Sequence, residues 1–235
     1  SLVQEMKIHT VKASLPEERM YLFKTEVPDV SESQIRQNIE FKLEENVPLS
    51  AADSLFFFEL IPNEKDKDKL YASVSVAPID LVNSYLNVLR SSGLEVLSFE
   101  IQPKSITRAI LPEDSNDTQI IVYKMNNKYG IYVVSAGVVC FTSTVDIISQ
   151  EISALQLELK KVYSYWKEHE AGKEIKKIVV VGKDSNKISD SAKISPDSRI
   201  FAEIGNVWNG AFSNDNYIPP ISFDDSQEYV VAAGL

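Results

Sequence analysis

The residue types that most often carry chemistry are few in this chain and poorly spaced for it. There are two histidines, His9 and His169, and one cysteine, Cys140. His9 alternates with Ile8 as on a strand, and His169 closes the charged stretch Lys167–Glu170. Neither has a second ligand or a nucleophile near it in sequence, so both read as surface or structural residues. Cys140 lies in the apolar run Val138–Phe141 and reads as a buried, inert thiol. The carboxylates Asp114, Asp117, Asp224 and Asp225 cluster in loops, with the spacing of neither a calcium loop nor a zinc set. A paired-acid hydrolase needs two carboxylates facing each other across a cleft, and no spacing here specifies such a pair. Gly182 ends an apolar strand, where a lone glycine makes a turn and not a phosphate cradle. Tyr163, Tyr165 and Trp166 fall at helical spacing and read as core. No metal, cofactor or catalytic residue is expected.

The most regular part of the chain is Pro28–Leu111. Ser31 and Gln34 have the spacing of a capping box, opening a helix whose Ile35, Ile39, Leu43 and Val47 recur every four residues on one face. Pro48 stops it. Strands follow at Ser54–Ile61 and Leu70–Ala77, then a helix Ile79–Arg90 closed by Gly93, then a strand Leu94–Ile101 and a helix from Pro103 to Leu111. With a strand at Met20–Val27 ahead of it, this order is that of a split βαβ module, ferredoxin-like in type. The consecutive Phe56, Phe57 and Phe58 must point to both faces of their strand. At least one therefore leaves the sheet to meet another element or a partner. Asn63–Lys69, with balanced charge and no apolar anchor, reads as a solvated hairpin tip.

Pro112–Thr118 breaks the periodicity and marks a lobe boundary. Beyond it Gln119–Met125 and Tyr129–Ser135 form a hairpin around Asn126–Asn127, followed by a strand Val138–Val145 and a long helix, Ile147–His169. The helix places Ile152, Leu155, Leu159, Val162, Tyr163 and Trp166 inward and Lys160, Lys161 and Lys167 outward. Strands Ile178–Val181 and Arg199–Ile204 complete the series, separated by the polar stretch Lys183–Asp197. Composition fits this reading: 235 residues, 44% hydrophobic and 25% charged, give one large domain or two small lobes with a full core. A net charge of −10 argues against nucleic acid or anionic lipid as a direct partner. No window approaches about 20 apolar residues, no signal peptide opens the chain, and the single cysteine fits a reducing cytoplasm.

Several phrases carry a family likeness. They are "ASLPEERMYLF" (Ala13–Phe23), "IEFKLEENVPLS" (Ile39–Ser50), "SVSVAPIDLVNSYLNVLRSSGLEVLSFEIQPKSITRAI" (Ser73–Ile110), "IGNVWNG" (Ile204–Gly210) and "YVVAAGL" (Tyr229–Leu235). Together they resemble PilM, the actin-like protein of type IV pilus assembly and a relative of the division protein FtsA. The resemblance implies an α/β fold of reduced actin-like, RNase-H-like lobes with the split βαβ subdomain inserted. It assigns residues 1–19 and 103–117 to a remnant of the first lobe, 20–102 to the insertion, and 118–235 to the second lobe.

Such proteins hold nucleotide through two aspartate-glycine hairpins and a glycine pair, and here these elements are degenerate. Lys7–Leu15 already matches the end of the first lobe, past the first hairpin. The second falls on Val122–Tyr129, where Tyr123 replaces the metal-side aspartate, Met125 the glycine, and Tyr129 closes the segment. At the glycine pair Gly182 stands beside Lys183. Between Thr144 and Ser153 most of the family's helical subdomain is skipped. The resemblance thus implies a nucleotide-free, non-catalytic cytoplasmic scaffold at the inner face of the membrane, holding the N-terminal peptide of a PilN-like inner-membrane protein. Leu43, Glu44, Asn46, Val47, Pro48 and Leu49 are the expected contacts, each also readable as packing. Self-association through an open sheet edge is a further expectation. The alternatives are a nucleotide-binding actin-like ATPase and the cytoplasmic part of a type II secretion linker protein.

Overall fold

A computed structural model describes residues 5–62, 70–112, 114–147, 151–170, 173–189, 192, 200–210 and 220–235. The expected hairpin tip Asn63–Lys69 and residues 190, 191 and 193–199 lie outside them. The chain divides into two compact units, with the division between Gln102 and Pro103.

In the first unit, β1 (Thr10–Leu15) pairs in parallel with β5 (Glu95–Ile101). Between them in sequence lie β2 (Tyr21–Val27), α1 (Glu32–Asn46), β3 (Ser54–Ile61), β4 (Leu70–Pro78) and α2 (Ile79–Ser91). α1 starts where its cap predicts: the Ser31 N–H donates to Gln34 Oε1 at 3.2 Å, and the Ser31 hydroxyl donates to the same oxygen at 2.8 Å. Its every-fourth-residue stripe, Ile35, Ile39 and Leu43, continues to Val47 and packs on Val27, Ala72, Val74 and Val76 of an antiparallel sheet ordered β2-β4-β3. Phe56 and Phe58 face this core, opposite Val76 and Val74 in register, while Phe57 points away and is half exposed.

One element departs from the expected module. The strand after α2 does not join the three-stranded sheet as its fourth member but pairs with β1. The register explains it, because Val11, Ala13 and Leu15 stand beside Val96, Phe99 and Ile101. That pairing aligns apolar neighbours along the length of both strands. The result is three strands of a split βαβ sheet plus a two-stranded parallel sheet.

The second unit contains most of α3 (Gln102–Ile110) and a five-stranded sheet of β6 (Thr118–Lys124), β7 (Lys128–Ser135), β8 (Val138–Asp146), β9 (Ile175–Gly182) and β10 (Phe201–Ile204). Its order is β10-β9-β6-β7-β8: an antiparallel meander β6-β7-β8, continued on the other side by the parallel strands β9 and β10. This is the three-strand, helix, strand succession expected of an RNase-H-like lobe. β6 is central and its Ile120, Ile121 and Val122 are fully buried, as a strand flanked on both sides should be. α4 (Glu151–His169) buries Leu155, Leu159, Val162 and Trp166, and Trp166 Nε1 donates to the Lys173 carbonyl at 2.6 Å. Ile152, expected inward, is instead exposed on the first turn. After the short α5 (Ser185–Ser189), the chain ends in α6 (Phe223–Ser226), a 3-10 turn Gln227–Tyr229, and α7 (Val230–Gly234). α7 lies against α3 so closely that a Cβ on Gly234 would collide with the Ser105 carbonyl oxygen. Among the described residues no helix is long and apolar enough to cross a membrane.

Candidate functional site

The residues read as degenerate nucleotide positions do come together, at the ends of β6 and β9. Lys124 pairs in register with Gly182, and Tyr123 with Val181. The β6–β7 turn closes with the Met125 N–H donating to the Lys128 carbonyl at 2.9 Å. A polar cleft of about 310 Å³ is lined by Tyr123, Lys124, Met125, Gly182, Lys183 and Gln227, among others. Tyr129 is buried beneath the hairpin and does not line it.

Two features of this cleft oppose a nucleotide. Gly182 has φ +99°, and a Cβ there would strike the Lys124 carbonyl oxygen, so glycine is required by the turn itself. Its N–H, the amide a phosphate or base would use, donates to Gln227 Oε1 at 3.2 Å. The Gln227 Nε2 in turn donates to the Gly205 carbonyl at 3.0 Å. Gln227 is only 1% exposed, so one carboxamide fills the donor–acceptor pair between the two strand ends. At the mouth, Lys183 Nζ lies 2.8 Å from Glu228 Oε1. The hydrogen bond that Lys183 donates to Glu228, and the charge of that carboxylate, raise the Lys183 pKa above its ordinary value. Beside it Asp184, at φ +59°, receives Lys187 at 2.7 Å, and that bond lowers its pKa. A Lys whose charge is already matched by a carboxylate has little field left for phosphate.

Gln227 and Glu228 could not be placed here from sequence. Gln227 lies 45 residues beyond Gly182, and a Gln-Glu pair ahead of an apolar phrase has no local signature.

The second candidate is the end of α1. Leu43 is fully buried and Val47 is 5% exposed, so both hold the subdomain core. Glu44, Asn46 and Pro48 are exposed and Leu49 is half-buried. Asn46 Nδ2 donates to the Lys42 carbonyl at 2.8 Å, and Glu44 Oε1 accepts the Ala51 N–H at 3.3 Å. Glu44 forms one wall of an open groove of about 600 Å³ with Gln37, Glu40, Phe41 and Ala51. Phe41 is 85% exposed. Phe41 was not singled out from sequence, although its position two residues from both Ile39 and Leu43 puts it on the opposite side of the helix.

The other candidates behave as structural residues. Cys140 is buried, with its thiol 3.4 Å from the Val138 carbonyl oxygen. His169 stacks on Tyr165 at 4.2 Å and its Nδ1 lies 2.8 Å from the Tyr165 carbonyl oxygen. Asp225 belongs to the cap of α6, where its N–H donates to Ser222 Oγ at 3.1 Å. Among the described residues no three His, Cys, Asp or Glu side chains converge on a metal position.

No protein-family model matches the sequence, and no curated protein is significantly similar to it. Solved structures are similar. The PilM–PilN type IV pilus biogenesis complex superposes with a TM-score of 0.76 at 12% identity, over 99% of this chain and 81% of that one. The fold is PilM-like. A second structure, the cytoplasmic domain of EpsL from the type II secretion system of Vibrio cholerae, gives a TM-score of 0.50 at 16% identity, over 73% of this chain and 61% of that one. The PilM-like match spans both units, including the sheet in which Gln227 fills the cleft.

Proposed function

We infer that this chain is a non-catalytic scaffold of a type IV pilus assembly complex, which captures the N-terminal peptide of a PilN-like inner-membrane protein. The observation that carries the reading is the near-complete superposition on a structure of a PilM–PilN complex. The cleft supports its non-catalytic half, since its glycine amide is spent on Gln227 and its lysine on Glu228. In this reading residues 1–19 and 103–117 are the remnant of a first lobe, 20–102 the inserted subdomain and 118–235 the second lobe. The protein then works in the cytoplasm, held at the inner membrane by its partner. The peptide contacts are the accessible residues at the end of α1, Glu44, Asn46, Pro48 and Leu49, with Leu43 and Val47 holding them in place. Pairing through the outer edge of β1 is part of the same proposal, because β1 and β5 pair only with each other among the described residues.

The test is calorimetric titration of the chain with Mg-ATP and, separately, with a synthetic peptide from the N-terminus of the neighbouring PilN-like protein. The expected result is micromolar peptide binding and no heat from nucleotide. Micromolar ATP binding would return the protein to the ATPase reading. In the type II secretion alternative the chain is itself the cytoplasmic part of an inner-membrane linker protein, and the lower similarity to the EpsL domain disfavours it.

A further inference from the structure

α1 has two cations, Arg36 and Lys42, and neither faces the Phe41 groove. Arg36 lies over the Phe56 ring, 4.8 Å from its centroid, and Lys42 Nζ donates to the Glu26 carbonyl at 2.6 Å and to Thr25 Oγ1 at 3.3 Å. The surface around Phe41 therefore keeps the carboxylates of Glu40, Glu44 and Glu45, and among the described residues none of the three is in an ion pair. An aromatic side chain 85% exposed and ringed by glutamates calls for an apolar residue flanked by cations.

The chain carries that counterpart itself. On α4, Leu157 is 57% exposed. Lys160 and Lys161, three and four residues on, share its face of the helix. Glu158, the nearest carboxylate, is engaged on the inner flank, accepting from Ser143 Oγ at 2.9 Å and from Lys161 at 3.2 Å. Lys160 has no ion pair among the described residues. Leu157 and the unpaired ammonium of Lys160, with Lys161 already matched by Glu158, thus complement one aromatic side chain and its carboxylates on α1.

We propose that the Phe41 groove of one molecule receives the Leu157–Lys160–Lys161 ridge of a second copy. The two surfaces differ, so the contact is heterologous. This goes beyond peptide capture and does not depend on it. A single helix-to-helix contact buries less than a standard stable interface, and the chains carry net charges of −10. The association is therefore weak, with Kd on the order of 10–1,000 µM.

Sedimentation velocity of the whole chain from about 5 to about 500 µM spans concentrations at which any Kd in that range gives measurable association. Mass is expected to grow with concentration, and Phe41→Ser or Leu157→Ser each to weaken association by about tenfold or more. Both side chains are exposed, so circular dichroism should be unchanged. The Phe41→Ser chain keeps its ridge and the Leu157→Ser chain its groove, so a mixture is expected to form dimers and nothing larger. Reversal of Glu40 and Glu44 to Lys should abolish association, and adding Lys160→Glu and Lys161→Glu should restore it. A wild-type chain monomeric throughout, an association indifferent to both serine variants, or a reversal that the second pair fails to rescue overturns the proposal.

Discussion

At the scale of single residues, Gln227 does more than its place in a short terminal turn suggests. It bonds both the Gly182 N–H and the Gly205 carbonyl, and it is nearly inaccessible to water. Gln227→Leu keeps the volume but withdraws both bonds. Each buried group left without a partner costs about 1–3 kcal/mol, so chemical denaturation should show a midpoint shift of that order or larger. Gln227→Glu is the informative companion, because a carboxylate can still accept from Gly182 but cannot donate to Gly205. It should be destabilised as well, more at neutral pH than at acidic pH, where the protonated acid can donate again. Gly182→Ala acts at the other end of the same bond. Alanine at φ +99° is strained and its methyl meets the Lys124 carbonyl oxygen, so a loss of about 1–3 kcal/mol is expected, with the cleft residues leading the chemical-shift changes in an NMR comparison.

At the scale of elements, α1 sets two residues against each other. Ile39 is fully buried in the subdomain core, and Phe41, two positions on, is the most exposed large hydrophobic side chain described. Ile39→Ala should cost about 2–5 kcal/mol through lost burial and a residual cavity. Phe41→Ala should change stability by about 0.5 kcal/mol or less, which a pair of urea melts resolves. Equal losses would mean that Phe41 is covered. The same helix shows what sequence could and could not supply. Its start at Ser31, its stop before Pro48 and its apolar stripe were all legible, since each depends on neighbours within a few residues. The destination of β5 was not, because it is decided by the register of its apolar residues against a strand some 80 residues earlier. The cleft was half legible. The turn between the strands at Tyr123 and Tyr129 and the strand end at Gly182 could be read from neighbouring residues, but Gln227, which bonds the Gly182 N–H, lies 45 residues further on.

At the scale of the whole molecule, the two units should differ in how firmly their sheets are held. β6 has strand partners on both sides, and its neighbours β7 and β9 contribute Ile131, Val133, Val134 and Val179–Val181 to one buried layer. Opening any of these strands exposes that layer, so their amides should exchange only in the largest openings. β1 and β5 stand apart from the other sheets, and Thr10, Lys12, Glu95 and Leu97 are exposed along them. Parallel strands normally lie inside larger, covered sheets, and two strands alone contribute little stability. Hydrogen exchange read by mass spectrometry should show peptides spanning Thr10–Leu15 and Glu95–Ile101 exchanging at least about a hundredfold faster than those spanning Ile120–Val122 and Val179–Val181. Repeating the measurement across protein concentration separates two causes. Protection of Thr10–Leu15 that rises with concentration means that a second copy pairs along β1. Protection equal to that of β6 at every concentration means that the small sheet is held within one molecule, and the open edge assigned to β1 would then be wrong.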